Sequence, residues 1–362
     1  MTLRVLLATP DYPPATGGIQ TLLHGLVEHR REVTYDVLTL ESPGAHAYDR
    51  GEARVQRLRR PRGGHAAAVA RLNAGVVRAA RARQYDAILS GHIVAAPGVL
   101  ASRRPWVQYV HAKELPRRPL LARLALSRAD RVIAVSRHTR DLALRSAARP
   151  DRLRIVPPGI PVDAFVDPDR RRPDESTVVT VSRLDDVHKG TDVLIRALAL
   201  ARQTVAEARL IVIGEGRLRP ALERLATDLG VRDAVEFLGR ASDEERDRRL
   251  DTCAVFAMLS RVPPGEGGEG FGIVFAEAAA RGVPVLAGDQ GGARDAVDHG
   301  RTGLLVDPTS IGDAAAAIVR LLTDRALRTA LGEEGPRWAR RFSWDVVVEQ
   351  VEDVLHEAAR HR

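Results

Sequence analysis

Two glutamates that lie eight residues apart in a glycine-rich segment are the strongest chemical signal in this sequence. Glu269 stands in a loop flanked by glycines, and Glu277 stands in the helix-like run that follows. If that helix begins near Gly270, Glu277 lies about two turns into it. Carboxylate oxygens accept hydrogen bonds, so Glu269 is a candidate to bind sugar hydroxyls and Glu277 to bind ribose hydroxyls. A solvent-facing pair is the alternative, but it would not need the flanking glycines or the apolar Ile273–Phe275 run.

Basic side chains and free backbone N–H groups accompany this pair and predict a site for a diphosphate. Arg183 follows the first strand of the second half, and Lys189 precedes the next helix. Two cations at one edge of a sheet would neutralise a diphosphate as it leaves. The start of the helix after Glu269 adds N–H groups that favour an anion. The residues that present these groups are Phe271, Gly272 and Ile273.

Glycines that follow strands mark two further places where a ligand could approach the backbone. Gly17 and Gly18 lie between the first strand and a helix, where free N–H groups favour phosphate. Gly214 and Gly216 follow a strand of the second half and allow close contact with a nucleotide. For Gly17 and Gly18 an ordinary turn is the alternative, because any strand-to-helix turn favours glycine.

His111 ends a strand of the first half and is a candidate to face the same ligand. Open parallel sheets bind ligands at the carboxyl ends of their strands, which is where this histidine falls. The residues after it, Ala112, Lys113 and Glu114, predict a polar loop that is exposed to a ligand. A structural histidine is the alternative.

Short apolar runs alternate with helix-like stretches along the whole chain, and these elements must position the candidate residues. Such alternation predicts parallel sheets joined by right-handed crossovers. The strands are too many for one doubly wound sheet, so we expect an α/β protein of two Rossmann-like domains. The predicted strands are Leu3–Ala8, Tyr35–Leu40, Arg54–Leu58, Ala87–Ser90, Trp106–Val110, Arg131–Val135, Arg154–Val156, Thr177–Ser182, Arg209–Ile213, Val235–Leu238, Val255–Met258, Pro284–Ala287 and Gly303–Val306. The helical patterns include Ala66–Arg83, Arg137–Ala147, Asp192–Gln203, Leu218–Leu229 and Ile273–Ala280.

The domain boundary is predicted within Val162–Pro173, a charged and proline-rich segment with the composition of a linker. The predicted domains are residues 1–165 and 166–342, followed by a helix-like stretch over 343–362. The chain contains no apolar run long enough to span a bilayer, and Met1–Pro10 predicts a first strand rather than a signal peptide. Cys253 is the single cysteine, which indicates a reducing compartment and a cytoplasmic protein.

Positive charge is concentrated in the first half of the chain. The segment Arg50–Arg149 contains 22 lysines and arginines and 5 acidic residues, whereas the residues after Val166 have a net charge of −6. An anionic lipid surface or an anionic acceptor is one explanation, and the arginine bias of a GC-rich genome is the other. Nucleic acid is not expected as a partner, because aromatic residues for base stacking are scarce in this segment.

Taken together, these motifs resemble the family-4 retaining glycosyltransferases of the GT-B fold over nearly the whole chain. The shared motifs are the Pro-Pro-x-x-Gly-Gly loop, His111, Val156–Ile160, Arg183 with Lys189, Gly214-Glu-Gly216, Glu269 with Glu277, Gly291-Gly292 and Gly303–Pro308. The resemblance implies two Rossmann-like domains that face a central cleft, the first for the acceptor and the second for the nucleotide sugar. It also implies that residues 343–362 pack back on the first domain.

The resemblance further implies a role for each candidate residue. Gly17 and Gly18 contact the donor phosphate, Arg183 and Lys189 hold the diphosphate, Glu269 holds the donor sugar, Glu277 holds the ribose, and His111 lies beside the sugar. The leaving phosphate helps to deprotonate the acceptor on one face of the sugar, which explains why no protein nucleophile stands out. No metal and no other cofactor is implied, and the Asp-x-Asp motif at Asp167-Pro168-Asp169 falls in the predicted linker.

Within the family, Asp11–Gln20, Ala45–Asp49 and Arg261–Gly268 are most similar to actinobacterial GDP-mannose-dependent phosphatidylinositol mannosyltransferases. This implies GDP-mannose as donor, an anionic lipid or glycolipid as acceptor, and peripheral contact with the acidic inner face of the plasma membrane. The segment Val110–Leu115 departs from the pattern expected around the histidine, which leaves the acceptor open. The alternatives are a soluble enzyme that decorates a secondary metabolite with a UDP- or GDP-sugar, a nucleotide-sugar epimerase, and a catalytically silent sugar-nucleotide binder.

Overall fold

The chain folds into two compact α/β units, as seen in a computed structural model that describes residues 2–49, 54–166 and 173–360. The first unit comprises the described residues of 1–159 and 344–362, and the second comprises those of 160–343. The prediction of an α/β protein with two Rossmann-like domains is confirmed. The Asp167-Pro168-Asp169 motif lies outside the described residues.

The first unit is built on a seven-stranded parallel sheet. Its strands are β1 Leu3–Ala8, β2 Val33–Leu40, β3 Val55–Leu58, β4 Ala87–Ser90, β5 Trp106–Val110, β6 Arg131–Ala134 and β7 Leu153–Ile155. The helices between them are α1 Gly18–Glu28, α2 Ala45–Tyr48, α3 Gly64–Ala82, α4 Ala96–Ser102, α5 Glu114–Arg117, α6 Pro119–Arg128 and α7 Arg137–Arg145. The strands lie in the order β3-β2-β1-β4-β5-β6-β7.

The second unit is built on a six-stranded parallel sheet. Its strands are β8 Asp174–Val181, β9 Arg209–Ile213, β10 Val235–Gly239, β11 Cys253–Met258, β12 Val285–Gly288 and β13 Gly303–Val306. Its helices are α8 Thr191–Ala201, α9 Arg219–Asp228, α10 Asp243–Thr252, α11 Ile273–Ala280, α12 Ala293–Ala296, α13 Ile311–Thr323 and α14 Arg325–Ala339. The strands lie in the order β10-β9-β8-β11-β12-β13.

Both sheets reverse their strand order at an internal point, and this sets where a ligand can bind. The order reverses between β1 and β4 in the first unit and between β8 and β11 in the second. Crossover helices on either side of such a point diverge and leave a crevice at the carboxyl ends of the strands. The residues that follow β1 and β4 in the first unit, and β8 and β11 in the second, therefore flank these crevices, and those that follow β5 lie next to the first crevice.

Aliphatic side chains form a separate core in each unit. In the first core, Leu72, Val76 and Val99 are fully buried together with the apolar faces of β1, β4 and β6. In the second core, Ile195 and Ile318 are fully buried beneath β8, β9 and β11. Strands that are buried on both faces need continuous apolar runs, which explains why the strand segments stood out in the sequence.

The boundary between the units lies between Gly159 and Ile160, earlier than the predicted boundary at residue 165. The difference has a clear cause, because the N–H of Ile160 donates to the carbonyl of Phe342 at 2.8 Å and Ile160 also bridges to Ser343. These contacts attach residues 160–165 to the second unit. Proline content indicated where the chain is irregular, but not which unit the segment contacts.

A long amphipathic helix, α15 Trp344–Arg360, belongs to the first unit although it follows the second unit in the chain. It packs on β4, β5, β6 and α1. Its buried aliphatic side chains each contribute on the order of 1.5–3 kcal/mol before entropy is subtracted. They are Val347, Val348, Val351, Val354 and Leu355. At its start the Trp344 indole lies against Gly25 and Gly159, where an added Cβ would come within 1.9 and 2.3 Å of the ring.

A buried carboxylate fixes α15 to the turn that precedes β2. Glu352 is 4% exposed, and its two oxygens accept the backbone N–H groups of Arg31 and Glu32, each at 2.8 Å. Bonds of a charged acceptor to buried amides are stronger than neutral ones. This contact joins residues more than three hundred positions apart in sequence.

Replacing Glu352 with alanine should destabilise the first unit by about 1–3 kcal/mol, because two partly buried N–H groups would lose their charged acceptor. Thermal unfolding and hydrogen exchange of the Arg31 and Glu32 amides measure the loss. Glu349→Ala is the matched control, since Glu349 is on the same helix, is 68% exposed and pairs with Arg31 only at 3.6 Å. That control should change stability by less than about 0.5 kcal/mol. Equal effects of the two substitutions would contradict the assigned role of Glu352.

Candidate active site

The carboxyl end of the second sheet brings a predicted cation and a predicted glutamate together. Lys189 ends a short 3-10 turn that precedes α8, and Glu269 follows β11. Because β8 and β11 are neighbours in the sheet, the loops after them meet at the switch point. Lys189 Nζ contacts Glu269 Oε2 directly, and each of the two side chains is only 16% exposed. The ligand-binding edge therefore holds a largely buried ion pair.

Arg183 lies in a different environment at the same edge. Its side chain is 66% exposed, and the Asp186 carboxylate lies 3.8 Å from the guanidinium. An exposed guanidinium can reorient toward an anion and bind it through two parallel hydrogen bonds. Lys189, in contrast, can bind a phosphate only by sharing or exchanging its contact with Glu269. Such an exchange frees carboxylate oxygen to accept hydrogen bonds from hydroxyl groups.

Gly214 and Gly216 allow the loop after β9 to lie directly against the loop after β8. A Cβ at Gly214 would lie 1.9 Å from the carbonyl oxygen of Ser182, and one at Gly216 would lie 2.3 Å from the carbonyl carbon of Leu184. Between them, the carbonyl of Glu215 accepts the N–H of Leu184 at 2.9 Å. The two glycines thus hold the segment around Arg183 by backbone contact.

The helix after Glu269 has the predicted bounds, Ile273–Ala280, and does not begin near Gly270. Helix α11 begins at Ile273, with Gly272 before it at a φ of 82°, so Glu277 lies about one turn into the helix rather than two. Phe271 is buried, with its ring 5.1 Å from that of Phe342 in an edge-to-face contact. The buried side chain of Phe271 therefore anchors the loop backbone between Glu269 and Ile273.

Glu277 lies in a charged and partly buried environment that the sequence did not indicate. Burial raises the pKa of its carboxyl above the ordinary value, and the nearby charges of Arg246 and Arg281 oppose that rise. Arg246, on α10, also donates to Asp247 and Asp243 at 2.9 and 2.8 Å. Arg246 is a neighbour of the site that sequence reasoning missed, because nothing in an arginine-rich surface helix distinguishes it.

In the first unit, Gly17 and Gly18 form the start of α1, and an arginine from β3 holds the loop that leads to them. The carbonyl of Gly17 accepts the N–H of Thr21 at 3.0 Å, which closes the first helical turn. The Arg57 guanidinium is 6% exposed, bonds to the Asp49 carboxylate at 2.7 Å and contacts the carbonyl of Pro13.

Two further contacts fix the residues that follow β1. Arg60 donates to Asp11 Oδ1 at 2.8 Å, and the buried Tyr12 hydroxyl lies 3.2 Å from His24 Nδ1. Neither contact, nor the one made by Arg57, was predicted. Each joins residues that are distant in sequence, and no local pattern distinguishes these side chains from other polar residues.

His111 is fixed in orientation, and the segment after it is less exposed than predicted. Its Nε2–H donates to the carbonyl of Gly91 at 2.9 Å, and its ring stacks on Tyr109 with centroids 5.3 Å apart and planes inclined by 7°. Ala112 and Glu114 are buried. The prediction of a polar loop open to a ligand is therefore wrong for these two residues, because Glu114 turns inward to bond backbone.

No cluster of His, Cys, Asp and Glu among the described residues has an arrangement that could hold a metal ion. No helix in the described part of the chain combines the length and apolar character needed to cross a bilayer. The carboxyl edge of the second sheet offers cations, carboxylates and backbone N–H groups. Such a set can bind an anionic nucleotide and hydrogen-bond the hydroxyls of a sugar.

The fold and these residues define a glycosyltransferase of the GT-B class. The family model described as glycosyl transferases group 1 matches residues 163–338, and the one described as glycosyltransferase family 4 matches residues 16–164. The chain is 35% identical to a GDP-mannose-dependent α-(1-6)-phosphatidylinositol monomannoside mannosyltransferase of Mycobacterium tuberculosis, over 99% of this chain and 100% of that protein. The chain belongs to this family of glycosyltransferases, which confirms the resemblance found in the sequence.

Other relatives and solved structures agree on the family and the fold. A D-inositol 3-phosphate glycosyltransferase of Acidothermus cellulolyticus is 34% identical over 80% of this chain and 71% of that protein. The crystal structure of Anabaena HepE in complex with UDP and glucose has a TM-score of 0.80 at 24% identity and covers 98% of this chain and 99% of that one. Sucrose-phosphate synthase of Thermosynechococcus elongatus has a TM-score of 0.79 at 21% identity, covering 98% of each chain.

Replacing Gly292 with alanine should displace the loop that carries Glu269 and reduce nucleotide binding at least tenfold. A Cβ at this position would lie 2.0 Å from the carbonyl oxygen of Gly270, and neither backbone can yield without moving the loop. Calorimetry with nucleoside diphosphates measures the effect. Gly312→Ala is the control, because no atom lies within 4 Å of its Cβ position. Wild-type nucleotide affinity in Gly292→Ala would show that the loop does not depend on this contact.

Proposed function

We propose that this glycosyltransferase moves mannose from GDP-mannose, with retention of configuration, to a hydroxyl of an anionic acceptor that carries an inositol phosphate. The observation that carries the proposal is the buried contact between Lys189 and Glu269 at the switch point of the second sheet. This contact supports the proposal, because a cation that can bind phosphate lies beside a carboxylate that can bind sugar hydroxyls. The full-length similarity to a GDP-mannose-dependent enzyme supports the choice of donor.

In this proposal the second unit binds the donor. Arg183 and Lys189 neutralise the diphosphate, and Glu269 accepts hydrogen bonds from the mannose hydroxyls. The other proposed contacts to the donor are made by glycines, by backbone N–H groups and by a second glutamate. They are Gly214 and Gly216 beside the nucleotide, the N–H groups of Phe271, Gly272 and Ile273 toward the diphosphate, and Glu277 at the ribose.

The first unit supplies the groups that act near the reacting centre. Gly17 and Gly18 present the N–H groups at the start of α1 to the donor phosphate. His111 lies beside the sugar. The chemistry needs no protein nucleophile, because the leaving phosphate accepts the acceptor proton on the face from which it departs. The two cations stabilise the charge that develops on this phosphate, so we propose that neither a metal ion nor another cofactor takes part.

Two sources of acceptor share the same chemistry. One relative is named for phosphatidylinositol monomannoside and the other for D-inositol 3-phosphate, and both names denote an inositol phosphate. The lipid is favoured here because the matching relative extends over the whole chain. A water-soluble inositol phosphate is the second candidate. Turnover of a soluble inositol phosphate without any lipid would select it.

The outer surface of α3, α4 and α6 supports contact with an anionic membrane. None of these three helices contains an aspartate or glutamate. On α6, Leu120 is 84% exposed and Leu124, one turn later, is 40% exposed. The exposed arginines on α3 and α6 are Arg71, Arg78, Arg81, Arg123 and Arg128. Exposed leucines flanked by basic residues insert shallowly into a bilayer while the guanidinium groups pair with lipid phosphates.

The donor assignment predicts that GDP binds more tightly than UDP, ADP or dTDP in calorimetry. Lys189→Met should weaken GDP binding about ten- to hundredfold, because the diphosphate loses a partly desolvated cation. Arg325→Ala is the control, since this cation of the same unit is 83% exposed and lies in α14. Turnover should be unaffected by chelators. Preference for UDP would rule out the donor assignment, and unchanged GDP affinity in Lys189→Met would rule out the role of Lys189.

The membrane assignment predicts that the double substitution Leu120→Ser and Leu124→Ser reduces binding to phosphatidylinositol vesicles at least tenfold, because two apolar side chains can no longer leave water. Binding of the unaltered chain should also weaken as salt is raised. Leu200→Ser on α8 is the matched control, as Leu200 is 41% exposed in the second unit. If all these proteins sediment equally with the vesicles, α6 is not the contact.

A further inference from the structure

The backbone immediately after His111 is strained. Ala112 has a φ of 101°, in a region that residues other than glycine rarely adopt, and it is fully buried. Strained residues of this kind persist only where their surroundings fix them, and they are concentrated at functional sites. Specific contacts must therefore hold this loop in its strained conformation.

Glu114 makes the contact that fixes the loop. Its side chain is 6% exposed, and its Oε1 accepts the backbone N–H of His111 at 2.6 Å. The carbonyl of Ala112 accepts the N–H of Leu115 at 3.2 Å, which closes the turn. A hydrogen bond from a backbone amide to a carboxylate is stronger than one to a neutral oxygen. Glu114 therefore determines the direction in which the peptide around His111 points.

The ring of His111 is held by groups that are themselves fixed. Tyr109, on which it stacks, is fully buried, and the Tyr109 hydroxyl donates to the carbonyl of Val156 at 3.0 Å. Nε2 donates its proton to the carbonyl of Gly91, so the lone pair of the neutral ring is on Nδ1. A small rotation of the backbone at His111 would break the stacking and the Gly91 bond together.

We propose that Glu114 is a positioning residue for the transfer reaction. Its carboxylate holds the His111 backbone, and with it the Nδ1 lone pair, in the orientation that meets the donor sugar. The proposal rests on the proposed placement of His111 beside that sugar. Displacement of a substrate-contacting group by about 1 Å can reduce turnover about a hundredfold, so a residue that acts only through His111 can still have a large kinetic effect.

The opposite end of β5 provides a matched control. There Asp130 Oδ2 accepts the backbone N–H of Trp106 at 2.9 Å, in the same kind of bond that Glu114 makes beyond Val110. Trp106 begins the strand, so Asp130 lies at the edge of the sheet where ligands do not bind. A purely structural carboxylate–amide bond should affect stability in both places, but only Glu114 should affect turnover.

The kinetic test compares Glu114→Ala, Glu114→Gln and Asp130→Ala in GDP release from GDP-mannose with acceptor present. Glu114→Ala should lower kcat at least tenfold and leave the donor KM within twofold. Glu114→Gln keeps an oxygen that can accept the same N–H and should recover kcat to within about threefold of the unaltered chain. Asp130→Ala should leave kcat unchanged. A Glu114→Ala kcat within twofold of wild type, or a glutamine variant as slow as the alanine variant, would overturn the proposal.

A spectroscopic measurement tests the positioning role of Glu114 in the absence of substrate. In ¹⁵N spectra of the histidine rings, with His111→Gln used for assignment, His111 should show a protonated Nε2 in the unaltered chain and in Glu114→Gln. Glu114→Asp, which is one methylene too short to reach the amide, should show a mixture of tautomers. An unchanged Nε2–H signal in Glu114→Asp would overturn the positioning role. Because no substrate is needed, this result stands apart from any failure of the donor or acceptor assignment.

Discussion

Direct contact between backbones at the carboxyl edge of the second sheet is the constraint on which the candidate site of the second unit depends. A Cβ at Gly190 would lie 1.9 Å from the carbonyl oxygen of Leu259, and one at Gly292 would lie 2.0 Å from that of Gly270. Real Cβ atoms do not come so close, so only glycine fits at these positions. The loops after β8, β11 and β12 are therefore held together by direct backbone contact. This contact brings Lys189 next to Glu269.

The first unit fixes its loops with side chains instead, and this accounts for part of its arginine excess. Arg57 holds the loop after β1 through the Pro13 carbonyl, and Arg4 donates to the buried Asp36 at 3.1 Å. Burial alone would raise the pKa of Asp36, but hydrogen bonds from Tyr85 and Arg4 hold this pKa below its ordinary value. Some of the positive charge is therefore structural, whereas α3, α4 and α6 contain no carboxylate that could pair with the arginines of α3 and α6.

The fold was predictable because its signals are local. β1 and β9 have the predicted bounds, since a buried parallel strand is a short apolar run between polar loops. The glycine loop of Glu269 was found for the same reason. The contacts of Arg57, Glu114 and Glu352 were not found, because each depends on where a distant or inward-facing backbone group lies. Helix α11 has its predicted bounds, but whether Glu277 lies one or two turns into the helix was open, because Gly270 and Gly272 are equally plausible helix caps by sequence.

The position of α15 has a consequence for synthesis of the protein. The second unit is an insertion within the first, so the ribosome completes residues 160–343 before the helix that covers β4, β5 and β6 exists. At a synthesis rate of about 5–20 residues per second, roughly 10–40 s pass before α15 is made. During this time the side of β4, β5 and β6 on which α15 packs remains uncovered. The nascent first unit should therefore be a client for chaperones during that interval, whereas the second unit can fold as soon as it emerges.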